Sequence, residues 1–228
     1  MPEKLGIQIG EDQRVTAIVY SASGREKLGV TLLLGHGAGA NQTSDFMVSF
    51  AEALAAQGLD TVTFNFLYTE EGRRAPDPNA RLEACYGALI DAVSAHRELH
   101  LNKLVIGGKS MGGRIASQVA ANRIAGPDGL VFLGYPLHPP GKPDQLRAAH
   151  LSRIRSPMLF VQGSRDAFGT PDEMRPIIKK LGGLASLYIV EGGDHSFKVP
   201  KRQGVPQDRV FACVQDEIRS WVLRVIAR

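Results

Sequence analysis

One serine between two glycines, in Gly108-Lys109-Ser110-Met111-Gly112, constrains this 228-residue chain more than any other feature. The apolar run Leu104-Val105-Ile106-Gly107 leads into it and a helix-forming segment over 112–122 follows, so the local order is strand, sharp turn, helix. A turn that tight crowds any Cβ near its tip, which is why glycines flank it, and it lifts the central side chain above the sheet edge. G-x-S-x-G in this setting predicts a serine presented as a nucleophile. Taken as five residues alone, the pattern also reads as a glycine-rich turn that merely packs a helix on a strand.

A nucleophilic serine needs a base to take its proton and an acid to hold that base. Asp166, in Gly163-Ser164-Arg165-Asp166, follows the apolar strand Met158-Leu159-Phe160-Val161. His195, in Gly192-Gly193-Asp194-His195-Ser196-Phe197, follows the strand Leu187-Tyr188-Ile189-Val190. Both therefore fall at the carboxyl ends of strands, the edge on which open α/β sheets assemble their sites. An aspartate in such a place also serves as a plain turn cap, and Asp194 adjoins His195 in the chain. Asp166 is the preferred acid because a side chain rarely folds back onto the ring of its immediate neighbour. Among the other histidines, His96 and His100 are placed on a helix, His36 in a glycine loop, and His138 and His150 are weaker candidates for the base.

The run Leu32-Leu33-Leu34-Gly35-His36-Gly37-Ala38-Gly39-Ala40 reads as a buried strand that opens into a loop of small residues. When a serine attacks a carbonyl, the negative oxygen that develops must be met by donors already aimed at it. The backbone N–H groups of Ala38 and Met111 are the candidates, and small side chains keep the first accessible. His36 is expected to brace the loop by hydrogen bonding.

Together, H-G-A-G in the first loop, G-K-S-M-G-G-R at the elbow, G-S-R-D and G-G-D-H-S-F resemble the α/β-hydrolase superfamily. The likeness is to its short, dienelactone-hydrolase-like members, and more narrowly to the family that bacterial hydrolases share with a testis-expressed protein and a chromatin-complex subunit. It runs from about Leu28 to the terminal helix. The chain order Ser, Asp, His is the one this fold uses. The resemblance implies a serine nucleophile at Ser110, where dienelactone hydrolase itself has cysteine. Some relatives act as complex subunits, so a noncatalytic binding or scaffold protein on the same fold is the rival reading.

Two glycine motifs invite a nucleotide reading. Gly108-Lys109-Ser110 ends like a P-loop, but the spacing requires glycine where Lys103 stands. Gly35-His36-Gly37-Ala38-Gly39-Ala40 does match G-x-G-x-x-A. However, Asn41-Gln42-Thr43-Ser44 separates it from the next helix, and the following strand ends without an acid to hold a ribose. Dinucleotide binding is therefore a remote alternative, and no cofactor or metal is expected. The net charge of +4 and pI near 9.2 come from scattered Lys and Arg without interleaved aromatics, so no nucleic-acid stripe is expected. No signal-peptide pattern and no apolar stretch near the ~18 residues of a membrane span appear, which predicts a cytoplasmic protein that does not engage membranes. Cys85 and Cys213 are read as reduced core residues.

Strands are expected near Ile7, Ala17, Leu33, Thr63, Val105, Val131, Leu159 and Ile189, with helices over 45–57, 79–99, 112–122, 171–181 and 206–226. Leu82, Tyr86, Leu89 and Val93 form one core stripe at helical spacing, and Phe211, Val214, Ile218, Trp221 and Val225 another. The alternation predicts an α/β fold over 1–228 as one domain: a mainly parallel sheet covered on both faces, with an antiparallel hairpin at one edge and no cap domain. Specificity is assigned to loops 67–78 and 134–143, the latter stiffened by proline. Arg73, Arg74 and His138 are candidate substrate contacts, with pairing of the arginines to Glu70, Glu71 or Asp77 at the surface as the competing outcome. The function expected is cleavage of an ester or similar acyl bond of a small molecule.

Overall fold

The computed structural model of the chain describes residues 2–23, 26–124 and 126–226. One sheet contains β1 (Glu3–Gln8), β2 (Arg14–Tyr20), β3 (Val30–Gly35), β4 (Asp60–Phe64), β5 (Lys103–Lys109), β6 (Gly129–Leu133), β7 (Met158–Gly163) and β8 (Ala185–Val190). Their spatial order is β1-β2-β4-β3-β5-β6-β7-β8. β1 and β2 pair antiparallel at one edge, β2 meets β4 antiparallel, and every later pairing is parallel. This is the α/β-hydrolase architecture without a cap.

Because side chains alternate across a strand, each central strand feeds two cores. Leu33, Ile106, Phe132 and Phe160 face one side, while Leu32, Leu34, Val105, Val131 and Leu159 face the other, all fully buried. Helices α1 (Asp45–Ala56), α2 (Leu67–Glu70), α3 (Asn79–Ser94), α4 (Met111–Asn122), α5 (Pro171–Leu181) and α6 (Gln207–Val225) complete the fold. The first core is closed by Leu82, Tyr86 and Leu89 of α3 with Ile115 and Val119 of α4. The second is closed by Met47 and Phe50 of α1 with Val214, Ile218 and Trp221 of α6. Each such side chain contributes ~1.5–3 kcal/mol on burial, so the two layers hold the sheet rigid beneath its carboxyl edge. Tyr86 adds a polar pin: its hydroxyl lies 2.8 Å from the Leu33 carbonyl and 2.7 Å from that of Gly107 and accepts the Gly107 N–H at 3.0 Å.

Three local expectations are corrected. Helix α3 ends at Ser94, so His96 and His100 lie in turns and not on a helix. The chain must reverse there to enter β5 at Lys103. The reversal is held by buried Leu99 and by the Asn102 amide, which donates to Thr31 Oγ1 and Asp60 Oδ2 at 2.9 Å each. Val225 is exposed because the last core position of that helix end goes to Ile226, which abuts Gly129. Cys213 faces solvent beside buried Val214, whereas Cys85 is buried as expected and burial pushes its thiol up to about 12.

His36 braces the loop after β3. Its Nδ1 lies 2.8 Å from the Gly37 carbonyl and its Nε2 accepts the Phe66 N–H at 3.2 Å. Burial holds its pKa down at about 4, so it is neutral at pH 7. His150, paired with Ser117 Oγ at 2.7 Å, is likewise lowered to about 4, by burial first and then by Arg153 and Arg114.

The strand-to-helix turn depends on close backbone approach. A Cβ on Gly112 would run into the Gly35 carbonyl, whereas Gly141, in an open turn at φ +71°, meets nothing within 4 Å. Gly112→Ala is therefore expected to cost about 3 kcal/mol in urea unfolding, and Gly141→Ala only the left-handed penalty of about 1 kcal/mol. A second expectation concerns pH. Below pH 6.5 the unfolded chain protonates His36 and His150 while the folded chain does not until about 4, so stability falls as pH drops through that window. His150→Gln should flatten the slope, by up to ~1.4 kcal/mol per pH unit at its steepest.

Candidate active site

Ser110 stands between β5 and α4 with φ 50° and ψ −113°, a strained conformation for a residue with a Cβ. Its N–H donates to the Leu133 carbonyl at 3.0 Å, and its carbonyl accepts the Arg114 N–H at 3.0 Å to start the helix. This backbone path turns the hydroxyl away from the sheet and toward the loop after β8. There Ser110 Oγ lies 2.8 Å from His195 Nε2, and His195 Nδ1 lies 2.7 Å from Asp166 Oδ2. Three loops that follow three different strands thus meet in one hydrogen-bonded chain.

Asp166 is fully buried and its lone pairs are well used. Oδ2 also accepts from Gln162 Nε2 at 2.8 Å, and Oδ1 accepts the Phe168 N–H at 2.8 Å. A carboxylate fixed in this way assigns the proton to His195 Nδ1 and leaves Nε2 free to accept from the serine. Phe168 lies over the His195 ring at a centroid separation of 4.2 Å. Asp194 has different work: its Oδ1 accepts the Ser196 and Lys198 N–H groups at 2.8 and 2.9 Å, tightening the loop that carries the histidine.

Sequence reasoning did not single out Gln162, Phe168 or Lys109. Gln162 is fully buried in β7 and also accepts the Tyr135 N–H at 2.9 Å, which ties the loops after β6 and β7 together. A glutamine within an otherwise apolar strand was the available signal. Lys109, the second residue of the elbow motif, is buried, donates from Nζ to the His195 carbonyl at 2.6 Å, and lies near the faces of Phe46 and Phe197. Burial pushes its pKa down to about 8, with Asp166 and Asp194 acting in the opposite sense.

Ser110 and His195 open into a cleft of about 700 Å³. Ala38 and Met111 line it, and among the described residues neither N–H is taken up by another protein group. Met111 is the first residue of α4, where helical N–H groups lack intrahelical acceptors and the helix dipole is positive. A Cβ on Gly37 would lie 3.6 Å from that of Ser110, so the glycine loop passes directly against the serine. Phe46, Leu82, Pro136 and Phe211 supply apolar walls.

Arg73, Arg74 and His138 do not line this cleft. Arg73 is held by Glu71 and Asp77, at 2.8 and 2.6 Å, because those carboxylates lie two residues before it and four after. Arg74 is exposed, and His138 is buried with Nε2 3.3 Å from Glu173 Oε1. The cations in the cleft are Lys109, Arg114, Arg147 and Lys198. Arg114 was legible as the residue one helical turn beyond Ser110 and so on its face; Arg147 carries no local signal. Among the described residues no cluster of His, Cys, Asp or Glu suits a metal, and no helix is long and apolar enough to cross a membrane.

Solved structures share this architecture across nearly their full length. A lidless α/β serine hydrolase from Xanthomonas campestris is 19% identical, with 98% of this chain and 94% of that one covered and a TM-score of 0.76. A dienelactone hydrolase from Anabaena variabilis is also 19% identical, covering 99% and 98% at a TM-score of 0.76. The esterase domain of a Rhodothermus marinus protein is 14% identical, covering 98% of each chain at 0.73. At these identities the likeness establishes the fold. The alpha/beta hydrolase domain model matches residues 29–223, which takes in every strand from β3 onward and all six helices but the end of α6, and the chain belongs to that family.

Proposed function

We propose that the protein is a serine hydrolase that cleaves an ester or similar acyl bond of a small substrate through an acyl-enzyme. The observation that carries this reading is the unbroken chain from Ser110 Oγ through His195 to buried Asp166, set at the wall of an accessible cleft. In the proposed reaction Ser110 Oγ attacks the acyl carbon while His195 Nε2 takes its proton, and Asp166 stabilises the imidazolium. The Met111 and Ala38 N–H groups receive the oxyanion. Collapse breaks the bond to the leaving alcohol, to which His195 returns the proton, and water attacks the acyl-enzyme by the same steps in reverse. Gln162 and Phe168 act as positioning residues, the first through Asp166 and the second by limiting rotation of the His195 ring.

The rival reading, a noncatalytic scaffold, predicts a protein whose serine is unreactive. A fluorophosphonate probe is expected to label the wild type at Ser110 and to leave folded Ser110→Ala unlabelled. The same variant should lose ~10⁴ to 10⁶ in kcat on 4-nitrophenyl acetate. Labelling that persists without Ser110 would displace the assignment.

The two aspartates are separable by the same ester. Asp166→Asn is expected to lower kcat by ~10⁴, since an amide in that pocket favours the wrong tautomer of His195. Asp194→Asn keeps an acceptor oxygen for Ser196 and Lys198, so its loss should be under about tenfold, roughly 1.4 kcal/mol. The reverse ranking would move the acid role to Asp194.

A further inference from the structure

The loop after β6 brings Arg147 beside Arg114 of α4, and this pair has no acid of its own. Arg114 reaches only neutral partners, Asn79 Oδ1 at 3.1 Å and Gln118 Oε1 at 3.3 Å. Glu83 acts on it at longer range, but among the described residues neither arginine makes an ion pair. By contrast Arg73, Arg81 and Arg123 each hold a carboxylate at 3.0 Å or less. Arg114 is half-buried, and its pKa is lowered by burial first and then by the charge of Arg147. Arg147 is fixed at its backbone, where its N–H donates to the Leu137 carbonyl and its carbonyl accepts the hydroxyl of buried Tyr135, both at 2.7 Å. The fold thus sets Arg147 on the lining it shares with Arg114 and close enough for its charge to disfavour that of Arg114, a cost that a bound anion would offset.

Their placement gives the pair a use. Both line the cleft that holds Ser110, and both also line an adjoining polar cavity of about 530 Å³ together with Asn79, Gln118 and His150. Of the acids in the larger cleft, Asp77 is bridged to Arg73 and Arg81, and Asp45 lies in the first turn of α1. Guanidinium groups suit oxyanions because their planar forks donate two parallel hydrogen bonds.

We propose that Arg114 and Arg147 form an anion subsite, and that the substrate carries an oxyanionic group, carboxylate or phosphate, which seats between them while its acyl bond lies at Ser110. This inference rests on the hydrolase reading above for the second half of the statement only.

The test uses two matched pairs of esters. In one the charge sits on the acyl side (4-nitrophenyl hydrogen suberate against its methyl ester), and in the other on the alcohol side (4-acetoxybenzoate against its methyl ester). At low ionic strength the charged member of at least one pair should have the higher kcat/KM, by about tenfold, as expected for hydrogen bonds to a charged group. Added potassium chloride should shrink that ratio. Arg147→Met and Arg114→Met should each bring it toward one, and Arg147→Glu should invert it. Inorganic phosphate competing more strongly than acetate identifies phosphate as the preferred group, and the opposite order identifies carboxylate. Calorimetric titration of the charged esters into Ser110→Ala reads the subsite without turnover. Binding that weakens on adding Arg147→Met supports it even if no ester is cleaved, in which case only the hydrolase reading fails. No charge preference in either pair together with no arginine-dependent binding overturns the subsite.

Discussion

Everything at the carboxyl edge of the sheet depends on how closely β3, β5 and α4 approach one another. Gly35, Gly108 and Gly112 meet backbone to backbone, and a Cβ on Gly108 or on Gly112 would strike the Gly35 carbonyl. That contact permits the chain to leave β5 through a strained serine and enter α4 at once. It also sets the loop after β3 against the serine, which is why Ala38 and Met111 face one cleft. The proposed nucleophile and the proposed oxyanion donors are thus products of a single packing requirement, met by three residues that have no side chains.

A second requirement is electrostatic. A carboxylate with no exposure is costly unless its lone pairs are satisfied. Asp166 meets this by accepting from His195, Gln162 and the Phe168 N–H. The same bonds aim the imidazole at Ser110. Satisfying the buried charge and orienting the base are one arrangement, so changes at Gln162 are felt at the histidine without touching it.

The sequence was most legible where local chemistry and global fold agree. Alternating apolar strands and helical stripes place all eight strands and five of the helices, and glycine spacing around Ser110 and in the loop after β3 marks the turns. His195 pairs with Asp166 while Asp194 bonds within its own loop, as the limited reach of an adjacent side chain predicts. Failures arose where tertiary contacts override local pattern. No glycine or proline stands between Ser94 and Lys103, so nothing local marked the helix as ending at Ser94 and not at 99. Arg73 and Arg74 share a loop beside the cleft, but Arg73 is claimed by Glu71 and Asp77, and Arg74 stands exposed outside the lining. Arg114 and Arg147 lack such a neighbour, and that is a property of space, not of order along the chain.

Lys109 links two elements that are otherwise separate in the chain. Its ammonium passes beneath the loop after β8 to reach the His195 carbonyl and is enclosed by Phe46 and Phe197. For that loop to lift away from the sheet, the lysine must give up its acceptor while still surrounded by aromatic rings, or swing out and leave a void between them. Either path ties the excursion of the histidine loop to loosening of β5 at the serine. The two segments should then behave as one cooperative opening unit, exchanging their amide hydrogens together and protecting the alignment of serine and histidine against independent fluctuation of either.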